Sequence, residues 1–265
     1  MSVKKYKIAL VGFSLSKGGG EKVMANLSIF FDKMGIEVHN IIVLDGVTYP
    51  YSGKLVNMGL QKDKSNGFAN KFKRLQFLRK YLKEKDFDFI IDFRPRNKII
   101  QELIIARFIY KTKTILTVHS FLIDYYMPKS AWLTRLIYNQ TYATVAIVDQ
   151  IRELLEEQYQ LNNLVTIPNP INLEEVNKKC NEAVDIDFEY IIGIGQYVDN
   201  IKQFDKLILS YANSLLPEKN IHLVILGLGN AAPLEKIALE NNVSKYVHLL
   251  GFQVNPFKYL KNAKF

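Results

Sequence analysis

Residues 188–209 read FEYIIGIGQYVDNIKQFDKLIL, and few folds accommodate such a stretch. The apolar run 190–194 predicts a buried strand and Gly195 a tight turn. A polar loop follows at 196–200, and an amphipathic helix begins at about Ile201. A strand that hands over to a helix through a glycine loop is half of a parallel βαβ unit. Such a loop gathers backbone N–H groups and the positive end of a helix dipole, which is a ready place for phosphate. Lys202 stands at the mouth of that crevice. Gly195, Gln196 and Lys202 are therefore candidates to hold the diphosphate of a nucleotide-linked ligand.

The same pattern opens the chain. KIALVGF at 7–13 predicts a buried strand, 14–20 a glycine-rich loop and 21–33 a helix. Lysines before an apolar run also resemble a signal peptide. With no small-residue cleavage site and a glycine loop following directly, a first strand is the better reading. Further strands are predicted at 38–44, 53–60, 87–93, 114–118, 144–148 and 164–167. Helices are predicted at 68–84, 99–110, 132–142 and 150–159. Alternation of this kind implies a mostly parallel sheet with helices on both faces.

Pro168-Asn169-Pro170 interrupts the alternation, because proline fixes φ and removes a donor. A boundary near 171 divides the chain into domains 1–171 and 172–265. In the second, strands are predicted at 190–194, 221–226 and 246–250, with helices at 201–216, 232–242 and 256–262. Charge divides the same way. Residues 1–173 carry 25 Lys and Arg against 15 Asp and Glu; residues 174–265 carry 10 against 11. The first domain is thus expected to meet something anionic. One cysteine, Cys180, forms no internal disulfide, and no apolar run approaches the ~18 residues of a membrane span. Both fit a cytoplasmic protein.

Three features carry chemistry, each with a plainer alternative. Gly18-Gly19-Gly20-Glu21 lies between strand and helix, and either admits a ligand to the backbone or is only a tight turn. His119 ends the strand 114–118, at the edge where open α/β sheets bind ligands; a lone histidine is otherwise structural. His39, His222 and His248 lack that placement and read as structural. The helix 68–84 has an apolar stripe of Phe68, Phe72, Leu75, Leu78 and Leu82, and an opposite face crowded with Lys71, Lys73, Arg74, Arg79, Lys80 and Lys83. That face suits an anionic membrane or a lipid-linked phosphate, with Lys71, Arg74 and Lys80 as contacts. A merely solvated face is the alternative, and no nucleic-acid module accompanies it. Gly227-Leu228-Gly229-Asn230-Ala231-Ala232 matches a dinucleotide fingerprint, but the zone 247–251 has no acid to hold a ribose, which argues against a dehydrogenase. No His, Cys or carboxylate spacing suggests a metal site, and no cofactor is implied.

Taken in order, Gly18-Gly19-Gly20-Glu21-Lys22-Val23, Thr117-Val118-His119-Ser120, Ile167-Pro168-Asn169-Pro170, residues 193–202, residues 224–229 and Leu250-Gly251-Phe252 with Asn255-Pro256 resemble glycosyltransferase family 4, the group 1 enzymes of GT-B fold. The resemblance covers essentially the whole chain. It implies two Rossmann-like domains, the first taking an acceptor and the second a nucleotide-diphosphate-sugar. It also implies metal-independent transfer of a hexose with retention at the anomeric carbon. By position, Gly19 and Gly20 would lie beside the donor phosphates and His119 would approach the transferred sugar. Lys202 would neutralise the leaving diphosphate, Gly227 would belong to the donor site, and Gly251, Phe252 and Val254 would border the base. The resemblance further implies a lipid-linked or glycan acceptor in polysaccharide or lipopolysaccharide assembly, and a peripheral location on the inner face of the cytoplasmic membrane.

Two departures from the family pattern stand out. Gln196 occupies the usual place of an arginine and carries no charge to pair with phosphate. The family's segment of two glutamates spaced by seven residues would begin where the chain reaches Phe265, so the second sheet is expected to be incomplete. A second expectation, of a different class, is therefore a non-catalytic truncated homologue that binds nucleotide or lipid and assembles with a partner.

Overall fold

A computed structural model describes residues 6–16, 18–63, 67–197 and 202–265. The chain forms two compact units, Met1–Ile171 and Asn172–Phe265. The first contains β1 (Lys7–Gly12), α1 (Gly19–Lys33), β2 (Glu37–Ile42), β3 (Lys54–Asn57), α2 (Phe68–Lys85), β4 (Phe89–Asp92) and α3 (Ile99–Ile104). It continues with β5 (Lys113–Val118), α4 (Ala131–Tyr138), β6 (Ala143–Ala146), α5 (Asp149–Tyr159) and β7 (Leu164–Thr166). Its seven strands run in the order β3-β2-β1-β4-β5-β6-β7, and every pairing is parallel. The order reverses between β1 and β4, so the crevice at their carboxyl ends is the natural ligand position.

The period of two along each strand feeds two cores. Ala9, Val11, Ile41 and Ile90 point to the face covered by Leu78 and Leu82 of α2. Ile8, Leu10, Val38, Ile42 and Ile91 point to the face covered by Val23, Met24 and Ala25 of α1. Burial on both faces explains why these strands are continuous apolar runs instead of alternating ones.

The second unit contains α6 (Leu173–Lys179), β8 (Tyr190–Ile194), α7 (Phe204–Ala212), β9 (His222–Leu226), α8 (Ala232–Glu240), β10 (Val247–Gly251) and α9 (Phe257–Asn262). Its sheet is parallel, in the order β10-β9-β8. Ile191, Leu223 and Ile225 pack under Phe204, Ile208 and Leu234, while Tyr190, Val224 and Leu226 form the other face. Lys264 and Phe265 lie against the outer edge of β8, with Lys264 N–H donating to the Tyr190 carbonyl at 2.8 Å and Ile192 N–H to that of Phe265 at 3.0 Å.

Several predicted elements differ in extent. The helix predicted at 99–110 is α-helical only to Ile104; Ile105–Ile109 is a π-turn, closed by Tyr110 N–H on the Ile105 carbonyl at 2.8 Å. The helix predicted at 201–216 spans Phe204–Ala212. Gln203 adopts a left-handed conformation immediately before it, so Lys202 precedes the helix and is not in its first turn; residues 198–200 of the predicted loop and residue 201, the predicted helix start, lie outside the described residues.

The faces of α2 also differ from the predicted ones. Phe68 and Phe72 are exposed, at 91% and 62%, whereas Arg74 is buried at 8%. Arg74 precedes Leu78 and Leu82 at intervals of four, so it shares their inward stripe and not the solvated one. The helix's first turns are tied to the turn at Met58–Gln61 by Asn70 Nδ2 donating to the Gln61 carbonyl at 3.0 Å.

Candidate active site

In the first unit the glycine loop ends at Gly18, the N-cap of α1. The Glu21 carboxylate folds back over Gly18, where an added Cβ would lie 1.9 Å from Oε2. That is the reach-back of an N3 glutamate at a helix start. Burial raises the Glu21 carboxyl above its usual range, partly offset by a backbone hydrogen bond. Gly19 has open space where a Cβ would sit, while a Cβ on Gly20 would touch the His119 ring at 3.8 Å. The predicted residues Gly20 and His119, 99 positions apart by their numbers, are therefore neighbours.

His119 is held on several sides. Its Nδ1 lies 3.2 Å from Asn169 Oδ1 and its Nε2 2.9 Å from Thr117 Oγ1. Phe93 stacks on the ring, with centroids 5.7 Å apart. Burial pushes the imidazole down to about 4; the Asn169 contact opposes this and the Arg96 charge adds to it. At neutral pH the ring is uncharged.

Behind it lies a buried polar network that sequence reasoning missed. Arg94 grips Asp92 through Nε and NH2, the latter at 2.7 Å, and reaches Glu102 at 2.9 Å; Tyr110 donates to Asp92 at 3.0 Å. Arg96 donates to the Tyr138 hydroxyl at 2.7 Å and to the carbonyls of Arg94 and Thr117. Burial alone would raise the Asp92 carboxyl, but the two guanidiniums outweigh it and hold the carboxyl below its usual value. The available signal was Asp92-Phe93-Arg94-Pro95-Arg96 at the end of an apolar strand.

Of the basic residues predicted on α2, Lys71 and Arg74 line one cavity of about 90 Å³ with Val43, Met58, Arg94 and Gln101, near the ends of β1 and β2. Arg74 donates through NH2 to the Val43 carbonyl, and its buried Nε has no partner among the described residues. Lys80 is elsewhere, 76% exposed and 3.7 Å from Glu84.

In the second unit the ends of three strands converge. Gly195 N–H donates to the Leu226 carbonyl at 2.9 Å, and Gly227 N–H to that of Gly251 at 2.8 Å. A Cβ on Gly227 would lie 1.6 Å from the Gly195 carbonyl oxygen. Gly227 therefore lets two backbones touch, and its fingerprint glycine answers a packing demand. The Lys202 stem crosses Gly195, with Cγ 2.6 Å from where a Cβ would be. Gln196 and Lys202 are exposed, as are Phe252 and Val254 at 48% and 80%. Tyr197, not singled out from the sequence, ties the edge together: its hydroxyl donates to the Ile225 carbonyl at 2.9 Å and accepts from Gly251 N–H at 3.2 Å. The other histidines are structural. His39 contacts Tyr81 and Glu37, and His222 and His248 lie 2.8 Å apart under Phe188.

Two Rossmann-like units with glycine loops at the carboxyl ends of their strands define the GT-B class of sugar-transferring enzymes. The profile of glycosyltransferase family 4 matches residues 17–175, and this chain belongs to that family. It is a glycosyltransferase. It is 27% identical to the N-acetylgalactosamine-N,N'-diacetylbacillosaminyl-diphospho-undecaprenol 4-alpha-N-acetylgalactosaminyltransferase of Campylobacter jejuni, over 98% of this chain and 73% of that protein. Among solved structures, WaaG, a glycosyltransferase involved in lipopolysaccharide biosynthesis, is similar with a TM-score of 0.67 at 14% identity, over 97% of this chain and 73% of that one. HepE of Anabaena, solved with UDP-glucose, is similar with a TM-score of 0.67 at 13% identity, over 97% and 72%. At such identities the structural likenesses speak for the fold.

Proposed function

We propose that this chain transfers a hexose, with retention, from a nucleotide-diphosphate-sugar to a lipid-linked or polysaccharide acceptor in cell-surface glycan assembly. The observation that carries this reading is Lys202 lying across Gly195 where three strand ends meet. Departure of a diphosphate develops negative charge, and a cation held there offsets it as it forms. Gly195, Gln196, Lys202, Gly251, Phe252 and Val254 are assigned to the donor, with Gly227 shaping the loop from behind. In the first unit Gly19, Gly20 and His119 are assigned to the chemistry.

The acceptor belongs to the first unit, with its anionic group at Lys71 and Arg74. An unpartnered buried guanidinium N–H beside a cavity suits a phosphate oxygen. The name of the Campylobacter relative specifies a diphosphate-linked lipid acceptor, and HepE binds UDP-glucose, which together favour this pairing of substrates. No described helix is long and apolar enough to cross a membrane. We place the protein at the inner face of the cytoplasmic membrane, attached peripherally through basic side chains of α2.

The test is transfer itself. Incubation with UDP-hexoses and a polyprenyl-diphosphate-linked saccharide should give a product whose new linkage, read by NMR, keeps the donor's anomeric configuration. Inversion would refute the retaining mechanism, and transfer only to acceptors lacking phosphate would refute the acceptor assignment.

A further inference from the structure

Both ring nitrogens of His119 have partners, and the partners are chemically unequal. Thr117 has one hydroxyl proton, within reach of His119 Nε2 at 2.9 Å and of the Asp92 carbonyl at 3.1 Å. Asn169 turns its amide oxygen, which can only accept, to Nδ1 at 3.2 Å. The proton of neutral His119 therefore sits on Nδ1, and Nε2 accepts from the Thr117 hydroxyl. That amide oxygen serves a neutral ring and an imidazolium alike.

The surroundings decide between the two. Arg96, on the segment after β4, adds positive charge beside the ring. Tyr126 faces the His119 backbone amide with its hydroxyl. On α1, Glu21 is folded over Gly18, and on β4 Asp92 is engaged by Arg94, so neither carboxylate is turned to the ring. Phe93 stacks on the ring and Gly20 borders its Cδ2 edge. Asn169 itself is delivered by a stiff segment, with Pro168 and Pro170 on either side.

We propose that Asn169 and Thr117 are positioning residues for sugar transfer: they fix the rotation of the His119 ring and keep its proton on Nδ1, so that it meets the sugar as an oriented neutral group and not as an acid. This rests on the reading of His119 as a sugar-facing residue. It gives the Pro-Asn-Pro junction a task in the reaction beyond ending a domain.

The variant Asn169→Asp is nearly isosteric and puts a carboxylate beside Nδ1. His119 should then titrate near neutrality, followed by its ring NMR signals, instead of at about 4. Transfer by the variant should fall about tenfold per pH unit below the new midpoint, while the parent stays flat down to about pH 5. Thr117→Val should slow transfer at every pH, and Thr117→Ser should restore it. A His119 titration unmoved in Asn169→Asp would overturn the proposal, and so would a variant pH profile parallel to the parent's. A titration that moves while His119→Ala transfers sugar at the full rate would support the clamp and overturn the reading of His119.

Discussion

A methyl group on Gly227 would fall 1.6 Å from the Gly195 carbonyl, whereas one on Gly19 would meet nothing. Gly227→Ala should therefore push β8 and β9 apart and cost about 1–3 kcal/mol, measurable as a lower urea midpoint. Gly19→Ala lies in the first helical turn and should leave stability unchanged or raise it by up to ~1 kcal/mol. Transfer that also survives unchanged would argue against ligand approach at Gly19. The buried network has the opposite character to an open glycine. Arg94→Met removes the cation that Asp92 and Glu102 share, leaving Asp92 only the more distant Arg96, and should cost about 3–5 kcal/mol. The histidines set an acid limit. His39, His119, His222 and His248 all have imidazoles depressed by burial. The unfolded chain takes up those protons first, from about pH 6.5 downward. Stability is then full above that pH and falls between there and about 4, the His119 value, in a series of thermal melts.

At the scale of elements, α2 shows what periodicity conveys and what it does not. Its helical character and its Leu78 and Leu82 contacts follow from spacing. That its first turns leave Phe68 and Phe72 in solvent does not, because nothing in the spacing says which tertiary neighbours cover each turn. Arg74 falls on the inward stripe because its stem packs while its head finds the Val43 carbonyl, which composition alone disguises as surface charge. The parallel strands were legible because burial on both faces leaves continuous apolar runs between glycine loops. That His119 follows a strand end and Gly20 opens a helix was legible too; that they are neighbours was not. Asp92, Arg94 and Glu102 were not, since a buried ion network looks like ordinary charge until three elements meet. Lys71→Gln and Lys73→Gln together should weaken sedimentation with vesicles rich in anionic lipid and leave the thermal melt within a degree or two, as exposed substitutions do. Equal binding of the parent to neutral and anionic vesicles would contradict attachment through α2.

For the molecule as a whole, charge and chemistry are divided between the units. The excess of Lys and Arg lies before residue 173, in the unit assigned to an anionic acceptor, while the second unit is nearly neutral and presents the exposed Lys202 at its converging strand ends. With those assignments, the first unit would attract its partner by field and the second would recognise its ligand by local geometry. In the proposed reaction the Gly195 loop with Lys202 holds a nucleotide diphosphate. Calorimetric titration of UDP and UDP-hexoses into the parent and into Lys202→Ala tests it most directly. Binding should be tighter than about millimolar for the parent and about tenfold or more weaker for the variant, a difference of ~1.4 kcal/mol or more. Equal, sub-millimolar affinity in both would contradict it.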